Sequence, residues 1–476
     1  MLVERTLVLL YFAACIGIGI AASKRVRGSG DEYWVAGRRV GTWVNAMAIM
    51  ATLASGGSII GVMGLAYSQG IPATLALFAG AVVGFPLASL LVARELRNFG
   101  RYTITDFLAF RYPSQIVRTL VPILIVVAFT IYIVAQLKAA GITAETLLGI
   151  PFEHALTLAT LVFVIYVSFG GMVAVTWTDV FQGVLMLVVV LGTGLWFLWE
   201  VGTPIELMRR ATAAAPELGQ VEHRPVASYL GYFAIWATAI PVIPHIVMRV
   251  FTARDAHGAR LSLNLAMLAY SALILAAVFL IVPVGKLAFP DLADADQVFL
   301  KVMQSRFPAA VRGMAVAAVL AAVMSTTDAL LLACSSSISH DLLGNVLREK
   351  ASQRTIDAVR VGTAWGIGLL ALYWAYSPPE LISQFYTAGV GLLSGSLFVP
   401  VIAGLWWKKA NRIGGVLALV TGALTYVLVH FQILPFGLAP ILVSVAASAL
   451  AMAAGGLLGP PESREMIVAI EKLHAP

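Results

Sequence analysis

Charged residues are scarce in this chain. Of its 476 residues, 12% are charged and 60% are hydrophobic, and the mean hydropathy is +0.91. Because about a quarter of the residues in soluble domains are charged, this composition predicts an all-α polytopic membrane protein embedded in a lipid bilayer. The formal charge of +7 comes from basic residues scattered through the loops between apolar runs. No nucleic-acid partner is therefore expected.

Cysteine frameworks and catalytic histidine patterns are also missing. The two cysteines, Cys15 and Cys334, both lie inside apolar runs, which excludes a disulfide framework and a CxxC metal site. The seven histidines show no HExxH motif and no paired spacing. His245 follows a proline within an apolar run, where we expect it to close a gate or to bond a loop. We therefore predict that the chain is not an enzyme.

Long apolar runs dominate the rest of the sequence, and thirteen of them are predicted to cross the membrane. The first, 3–23, ends in small residues like those of a signal-peptide cleavage site. Its head carries Glu4 beside Arg5 rather than a basic cluster, so a retained span is expected. The other predicted spans are 41–69, 72–97, 118–148, 154–175, 178–200, 226–252, 262–286, 308–345, 354–377, 380–407, 413–434 and 436–459.

The basic residues are unevenly divided between the predicted loops. With the N-terminus placed outside, 22 of the 31 lysines and arginines fall on the inner side and 8 fall on the outer side. Basic loops remain cytoplasmic by the positive-inside rule. The bias predicts a protein of the inner cell membrane with an odd number of spans, an external N-terminus and a cytoplasmic C-terminus.

Two predicted spans are interrupted at corresponding places. The second contains ASGGS at Ala54–Ser58, and the seventh contains AIPVIPH at Ala239–His245, whose two prolines remove backbone donors. Close packing of kinked helices explains either break alone. Paired breaks five spans apart instead indicate an inverted repeat of five plus five helices, with the binding site of a secondary transporter at the breaks. We expect an N-terminal helix and loop at 1–40, a first repeat at 41–200 and a second repeat at 201–410. Two C-terminal helices with a tail would follow at 411–476.

Hydroxyl groups gather in the ninth predicted span. Ser325 and Thr326 lie at its middle, and Asp328 shares a helix face with Ser325 and Ala322. Hydroxyls that bond back to the preceding turn would explain the first two residues without any ligand. A carboxylate inside a membrane span is costly and indicates a function. Carbonyls freed at a broken helix, together with these hydroxyls, suit a small hard cation.

Four segments of the chain carry a resemblance to a known family. The most specific is YVSFGGMVAVTWTDVFQ at Tyr166–Gln182, with its Gly-Gly, Ala-Val, Thr-Asp and Gln, and the others are EYWVAGRRVG, YTITDFLAFRYP and PHIVMRVFTARD. Through these segments the chain resembles the sodium/solute symporter family, in particular its bacterial proline, pantothenate and monocarboxylate transporters, over nearly its whole length. The resemblance implies a sodium-coupled transporter with broken first and sixth core helices, one helix before the core and two or more helices after it.

The resemblance also implies a sodium site. Its ligands would be the carbonyl oxygens of Ala51, Ala54 and Ala322 and the hydroxyls of Ser325 and Thr326. Asp179, in the signature, matches an aspartate on the sodium exit path of family members. Some members form a second sodium site with serines where this chain has Asp328, Ala329 and Ala333. Asp179 and Asp328 are therefore expected to hold a proton or to strengthen a single cation site.

Substrate residues are implied by the same resemblance. Trp236 precedes Pro244 at the spacing found in the proline-transporting branch, and Ser55 matches a serine at the first break of that branch. Leu53 departs from the branch, which carries an aspartate there. Ser58 stands in place of the glutamine with which sugar-transporting relatives bind their ligand. A sugar substrate is therefore disfavoured.

Two polar residues of the fourth predicted span complete the expected substrate site. Gln136 and Lys138 offer an amide and a cation to a carboxylate, although Lys138 is equally suited to reach the outer interface or to pair with Glu145. The predicted set is Ser55, Gly56, Ser58, Gln136, Lys138, Trp236 and Pro244. We predict sodium-coupled import of a small carboxylate-bearing solute such as proline, pantothenate or a monocarboxylate. A proton-coupled transporter of the same fold and a proton-translocating subunit of a membrane complex are the alternatives.

Overall fold

A computed structural model describes residues 2–23, 30–221, 225–346, 353–377 and 381–475. Within these ranges every regular element is a helix, and the β pairing is limited to an isolated bridge between Val40 and Ala253. The first helices are α1 (Leu2–Ser23), α2 (Gly30–Val35), α3 (Thr42–Leu53), α4 (Val62–Gln69), α5 (Ile71–Leu91), α6 (Ala93–Phe99), α7 (Ile104–Arg111), α8 (Gln115–Leu148), α9 (Phe152–Val201) and α10 (Pro204–Ala214). The others are α11 (Val226–Ala239), α12 (Pro244–Thr252), α13 (Ala256–Ala276), α14 (Val282–Ala288), α15 (Val298–Arg306), α16 (Ala309–Ser336), α17 (Gln353–Ala375), α18 (Ile382–Trp406), α19 (Arg412–His430), α20 (Pro440–Leu458) and α21 (Arg464–Leu473).

The described residues include eleven helices that are long and apolar enough to cross a membrane, or twelve when the bent pair Thr42–Leu53 and Gly57–Gln69 counts as one span. The thirteen predicted spans agree with these helices except for the fifth, 154–175. That span corresponds to a shorter apolar helix, Phe152–Ile165. This segment is the first part of α9, which continues through a kink at Gly171, where φ is 57°. Only glycine adopts this backbone easily, and a Cβ there would also meet the Tyr33 ring at 2.7 Å.

The centre of the molecule is α16. Its span is buried throughout its most apolar stretch, and α1, α3, α8, α9 and α17 pack around it. Many of its residues are alanines, which allow neighbouring helices to approach closely. The hydroxyl residues at its middle therefore face other helices and not lipid.

The first helix packs against this centre. Arg312 Nη2 donates to the buried Glu4 Oε1 at 2.7 Å. Gln182 Nε2 donates to the Tyr11 hydroxyl at 2.9 Å, and that hydroxyl lies 3.3 Å from Met324 Sδ. These contacts join α1 to α9 and to α16.

Both predicted interruptions are present in the structure. Helix α3 ends at Leu53, and a ψ of 66° at Ala54 departs from helical geometry. The chain resumes as a π-helical turn, Gly57–Gly61, that leads into α4, and the two parts meet at 60°. In the second half, α11 ends at Ala239 and α12 begins at Pro244 after a short turn. The residues at both breaks are buried.

Candidate functional site

The first helix break meets the hydroxyl groups of α16. Ser325 Oγ donates to the carbonyl oxygen of Ala51 at 2.8 Å and lies 3.2 Å from that of Ala322. Thr326 Oγ1 donates to the carbonyl oxygen of Thr52 at 2.9 Å. These residues are fully buried. Oxygen atoms from two helices therefore gather in the interior of the protein.

The structure brings four of the five predicted sodium ligands to this contact between α3 and α16, namely Ala51, Ala322, Ser325 and Thr326. The fifth, Ala54, is the residue at which α3 loses helical geometry, so its carbonyl turns away from the helix direction. A hydroxyl that donates its hydrogen to a carbonyl keeps lone pairs for a cation. The arrangement can offer several neutral oxygens to one ion.

An ion pair lies beside this oxygen cluster. Arg249 Nη2, from α12, donates to Asp179 Oδ2, from α9, and the hydroxyl of Thr52 lies 3.3 Å from the same carboxylate oxygen. Arg249 Nη1 donates to Thr176 Oγ1 at 2.9 Å. Thr52 thus contacts Thr326 through its carbonyl and the ion pair through its hydroxyl.

Arg249 was not predicted as a functional residue, although it falls within the seventh predicted span, 226–252. The residue is 1% exposed and lies within α12. The sequence did contain a signal for its burial, because the apolar segment around Arg249 follows a predicted helix break. A buried carboxylate such as Asp179 also requires a cationic or protonic partner.

Asp328 stands next to this pair without a partner of its own. It is fully buried, and among the described residues no donor reaches either carboxylate oxygen. The charges of Asp179 and Arg249 both act on it. The hydroxyls of Ser325 and Ser335 bond to main-chain carbonyls of α3 and α17. Two carboxylates and one guanidinium have one negative charge in excess, which suits a single cation or proton.

Polar side chains converge on the first break from α8. The Gly56 N–H donates to Gln136 Oε1 at 2.9 Å. The Tyr132 hydroxyl donates to Ser55 Oγ at 3.3 Å, and Ser58 Oγ donates to a main-chain carbonyl of α3 at 2.9 Å. The structure therefore brings four of the predicted substrate residues together.

Aromatic rings enclose this break. The rings of Tyr132 and Tyr386 stack with centroids 5.5 Å apart, and the Trp236 ring lies 6.1 Å from that of Tyr386. A Cβ at Gly57 would meet the Tyr386 ring at 2.5 Å, so the missing side chain lets the ring lie against the break. Tyr270, from α13, has its hydroxyl 3.3 Å from that of the serine after Gly57.

The three tyrosines of this enclosure were not predicted. Tyr132 precedes Gln136 by four residues and therefore shares its helix face, a spacing that could have identified it. Tyr270 and Tyr386 come from α13 and α18, which are far from the break in sequence. No local pattern connects them to it.

Several buried nitrogen atoms near the breaks form no hydrogen bond with the described part of the chain. Among the residues that the structure describes, no acceptor reaches Gln136 Nε2 or Trp236 Nε1, and neither ring nitrogen of His245 is hydrogen-bonded. His245 follows Pro244, the first residue of α12, and its ring lies 5.2 Å from that of Phe129. Buried polar groups are normally hydrogen-bonded. These nitrogens therefore suit a ligand with several acceptor atoms.

Lys138, the predicted cation of the substrate site, is paired with a buried carboxylate of the protein. Lys138 Nζ lies 2.9 Å from Asp296 Oδ2, and the Ile382 N–H donates to the same oxygen at 2.9 Å. Lys138 follows Gln136 by two residues and is therefore turned by about 200° around α8. Burial raises the pKa of Asp296 to about 6, although the lysine opposes this rise.

The signature Tyr166–Gln182 lies entirely within α9. The side chains of residues 166–170 fall outside the part of the chain that the structure describes. Gly171 forms the kink, Asp179 forms the ion pair with α12, and Gln182 bonds to α1. The signature thus contributes both to packing and to the polar centre.

Both the sequence and the fold are similar to those of known transporters. The profile of the sodium:solute symporter family matches residues 33–422. A substrate-bound, outward-open structure of a Na+-coupled sialic acid symporter is 18% identical with a TM-score of 0.78, and the match covers 97% of this chain and 98% of that one. Mhp1, a nucleobase-cation-symport-1 family transporter in a closed conformation with bromovinylhydantoin, is 15% identical with a TM-score of 0.57, over 94% and 99% of the two chains. MhsT in complex with L-phenylalanine is 13% identical with a TM-score of 0.57, over 87% and 98%. This likeness confirms the predicted fold class, an inverted repeat of helices with broken first and sixth core helices.

Proposed function

Because the chain belongs to the sodium:solute symporter family, we propose that it imports a small carboxylate-bearing solute together with sodium. Membership makes it a membrane transporter and not an enzyme, with sodium as its coupling ion. We place it in the inner cell membrane with its N-terminus outside, following the charge of its loops. The proposed repeats are 41–200 and 201–410, between the N-terminal segment 1–40 and the C-terminal segment 411–476.

The observation that carries the ion site is the contact of Ser325 with the carbonyl of Ala51 at 2.8 Å. It joins the broken α3 to the central α16 through oxygen atoms, and oxygen is the ligand that small hard cations prefer. We assign sodium to the oxygens of Ala51, Ala54, Ala322, Ser325 and Thr326. An ion bound there would favour the arrangement in which α3 and α16 are together, which links ion binding to conformation.

The solute site is proposed at the first break, between Gln136 and Trp236. Both residues are buried, and each has an N–H without an acceptor among the described residues. The chain resumes at Gly57 as the start of a half-helix, and such starts favour anionic groups. Donors and a helix start together support a carboxylate, while the surrounding aromatic rings support an apolar body.

The same site restricts the size of the solute. A Cβ at Gly56 would lie 2.8 Å from carbon atoms of Ala139 and Val323, and a Cβ at Gly57 would lie 2.5 Å from Tyr386. Side chains therefore pack closely around the break. This crowding favours a compact solute such as proline or a small monocarboxylate.

Proton coupling is the second candidate function, and Asp328 is the observation that favours it. A buried carboxylate without a partner can take up a proton in place of a cation. Proton coupling would use the same fold and the same solute site. The two candidates differ in the gradient that drives accumulation.

Uptake into proteoliposomes tests the proposal. Purified protein would be reconstituted and offered labelled amino acids, pantothenate, small monocarboxylates and a sugar, with an inward gradient of sodium, of protons or of neither. We expect a carboxylate-bearing compound to accumulate only with the sodium gradient, and protein-free liposomes provide the control. Accumulation of the sugar alone would contradict the substrate class. Accumulation driven by protons without sodium would contradict the coupling.

A further inference from the structure

A second cluster of ionisable side chains lies at the end of α16, away from the sodium and solute residues. His340 and Asp341 belong to the π-helical segment Ser337–Val346, which continues α16, and Asp106 belongs to α7. His340 Nε2 lies 3.1 Å from Asp106 Oδ2 and 4.0 Å from Asp341 Oδ1. One potential ligand atom from each residue lies within 4.8 Å of the other two.

Hydrogen bonds at the start of α7 hold both carboxylates in place. Thr103 and Asp106 form a capping box, in which the Asp106 N–H donates to Thr103 Oγ1 at 3.0 Å and Asp106 Oδ2 accepts from the Thr103 N–H at 3.3 Å. Thr103 Oγ1 also donates to Asp341 Oδ1 at 3.0 Å. The geometry of the two carboxylates is therefore fixed before any ligand arrives.

One carboxylate oxygen of the cluster, Asp341 Oδ2, accepts no hydrogen bond from the described residues. Asp341 is 1% exposed, and among the described residues no donor reaches its Oδ2. Leaving a buried acceptor unpaired costs roughly 1 to 3 kcal/mol, and more for a charged group. The His340 side chain is 27% exposed, so an ion from solution can approach the cluster on that side. An unpaired buried oxygen beside an accessible imidazole points to a ligand.

We propose that Asp106, His340 and Asp341 bind one divalent transition-metal ion, for which Zn²⁺ is the probe. Imidazole nitrogen and carboxylate oxygen are ligands of such ions, whereas Mg²⁺ and Ca²⁺ prefer oxygen alone. Two carboxylates match the charge of the ion. Bonds of about 2.0 to 2.2 Å place neighbouring ligand atoms of a tetrahedral site about 3.4 Å apart, between the two distances found here. A fourth position would be open to water, and the ion would tie α7 to the end of α16.

Zinc titration of the full-length protein tests this site. Detergent-purified protein treated with EDTA would be titrated with Zn²⁺ by calorimetry, and its melting temperature would be measured with Zn²⁺ and with EDTA. We expect one Zn²⁺ per chain and a higher melting temperature with zinc, because a ligand of the folded state stabilises it. His340→Gln and Asp341→Asn should each weaken zinc binding at least ten-fold and remove the shift.

Matched substitutions of exposed residues provide the controls. His257 and Asp291 are exposed, so His257→Gln and Asp291→Asn should bind zinc as the wild-type protein does. Equal zinc affinity in both cluster variants, or no zinc bound by the folded wild-type chain, would overturn the proposal. Equal affinity for Mg²⁺ and Zn²⁺ would overturn the assigned class of ion. If Asp341→Asn fails to fold by circular dichroism, the partly exposed His340→Gln decides the question.

Discussion

Arg249 pairs with Asp179 at the point where the two broken helices converge. The guanidinium comes from α12, directly after the second break, and the carboxylate comes from α9. Thr52, from the first broken helix, lies 3.3 Å from both partners. A shift of either broken helix must therefore disturb this pair. We infer that the pair couples the two breaks to each other.

Replacement of Arg249 tests this role. In Arg249→Ala, Asp179 is left buried without a cation, and removing one partner of a buried ion pair costs about 3 to 5 kcal/mol. We expect a clearly lower melting temperature and loss of sodium-driven uptake, with partial recovery of both in Arg249→Lys. Arg254→Ala is the control, because Arg254 is exposed in the same segment. A melting temperature of Arg249→Ala equal to that of the control would show that the pair is dispensable.

Replacement of the two hydroxyls tests the sodium site. The double variant Ser325→Ala with Thr326→Ala removes two oxygens from a fully buried cluster. We expect the sodium concentration for half-maximal uptake to rise at least ten-fold, while solute affinity at saturating sodium changes little. Thr327→Ala is the matched control, since this buried hydroxyl donates to Val323 of its own helix at 2.7 Å. Unchanged sodium dependence in the double variant would refute the assignment.

Removal of the Trp236 ring tests the solute site. If the ring packs against the solute, Trp236→Ala should weaken solute binding by about 1 to 3 kcal/mol, or roughly 5- to 150-fold. Sodium binding in the absence of solute should stay near the wild-type value. Trp199→Ala is the control, because Trp199 is 78% exposed. A general loss of thermal stability, equal with and without solute, would instead show that Trp236 only fills the core.

The pH dependence of stability tests the environment of Asp296. This residue lies in the connection between α14 and α15, and burial raises its pKa from 3.8 to about 6. Because the folded protein holds this proton more tightly than the unfolded chain, the contribution of Asp296 to stability is largest below pH 4. That contribution falls as the pH rises to about 6 and is then constant.

Asp296→Asn should remove this dependence. Two pKa units correspond to about 3 kcal/mol, so the stability of the wild-type protein relative to the variant should fall by up to that amount between pH 4 and 6. Melting temperatures of both proteins across pH 4 to 8 give the comparison, with the exposed Asp291→Asn as control. A difference that is constant over this range would contradict the raised pKa.

The helix breaks and the hydroxyl pair were predictable because their signals are local. Glycines, serines and prolines inside apolar runs mark interruptions wherever they occur, and Ser325 and Thr326 are neighbours in sequence. The same holds for Asp179, since a carboxylate in a membrane span is conspicuous. These local features are the ones from which the residues of the proposed sodium site were predicted.

The aromatic enclosure and the ion-pair partners were not predictable, because they depend on contacts between distant helices. Tyr386 reaches the first break across more than three hundred residues of chain. The ion pair of Lys138 with Asp296 was not predicted, because the direction of Lys138 around α8 and the position of Asp296 are set by tertiary packing. Arg249 was not predicted as a site residue, because a charge near the end of an apolar run is normally solvated. Whether such a charge is solvated or buried depends on an ion-pair partner, and that partner can be identified only in the folded structure.

Three roles can be separated for the buried carboxylate of Asp328. As a cation ligand with Asp179, it would supply the excess negative charge that one sodium ion balances. As a proton carrier, it would make uptake depend on pH. As a structural group, it would be bonded to neighbouring serines, but Ser325 and Ser335 donate to main-chain carbonyls instead. The structure therefore leaves its oxygens available for an ion or a proton.

Current recordings on reconstituted Asp328→Asn protein, taken across sodium concentration and pH, distinguish these roles. We expect lower sodium affinity and a changed charge per transported solute, because the amide keeps the shape of the side chain and removes its charge beside the pair of Asp179 and Arg249. A proton carrier would instead lose the pH dependence of uptake while its sodium affinity stays at the wild-type value. The amide of a purely structural residue would change neither quantity. Sodium dependence and charge per solute identical to those of the wild-type protein would exclude the cation-ligand role, since a buried negative charge near a bound cation cannot be removed without weakening that cation's binding.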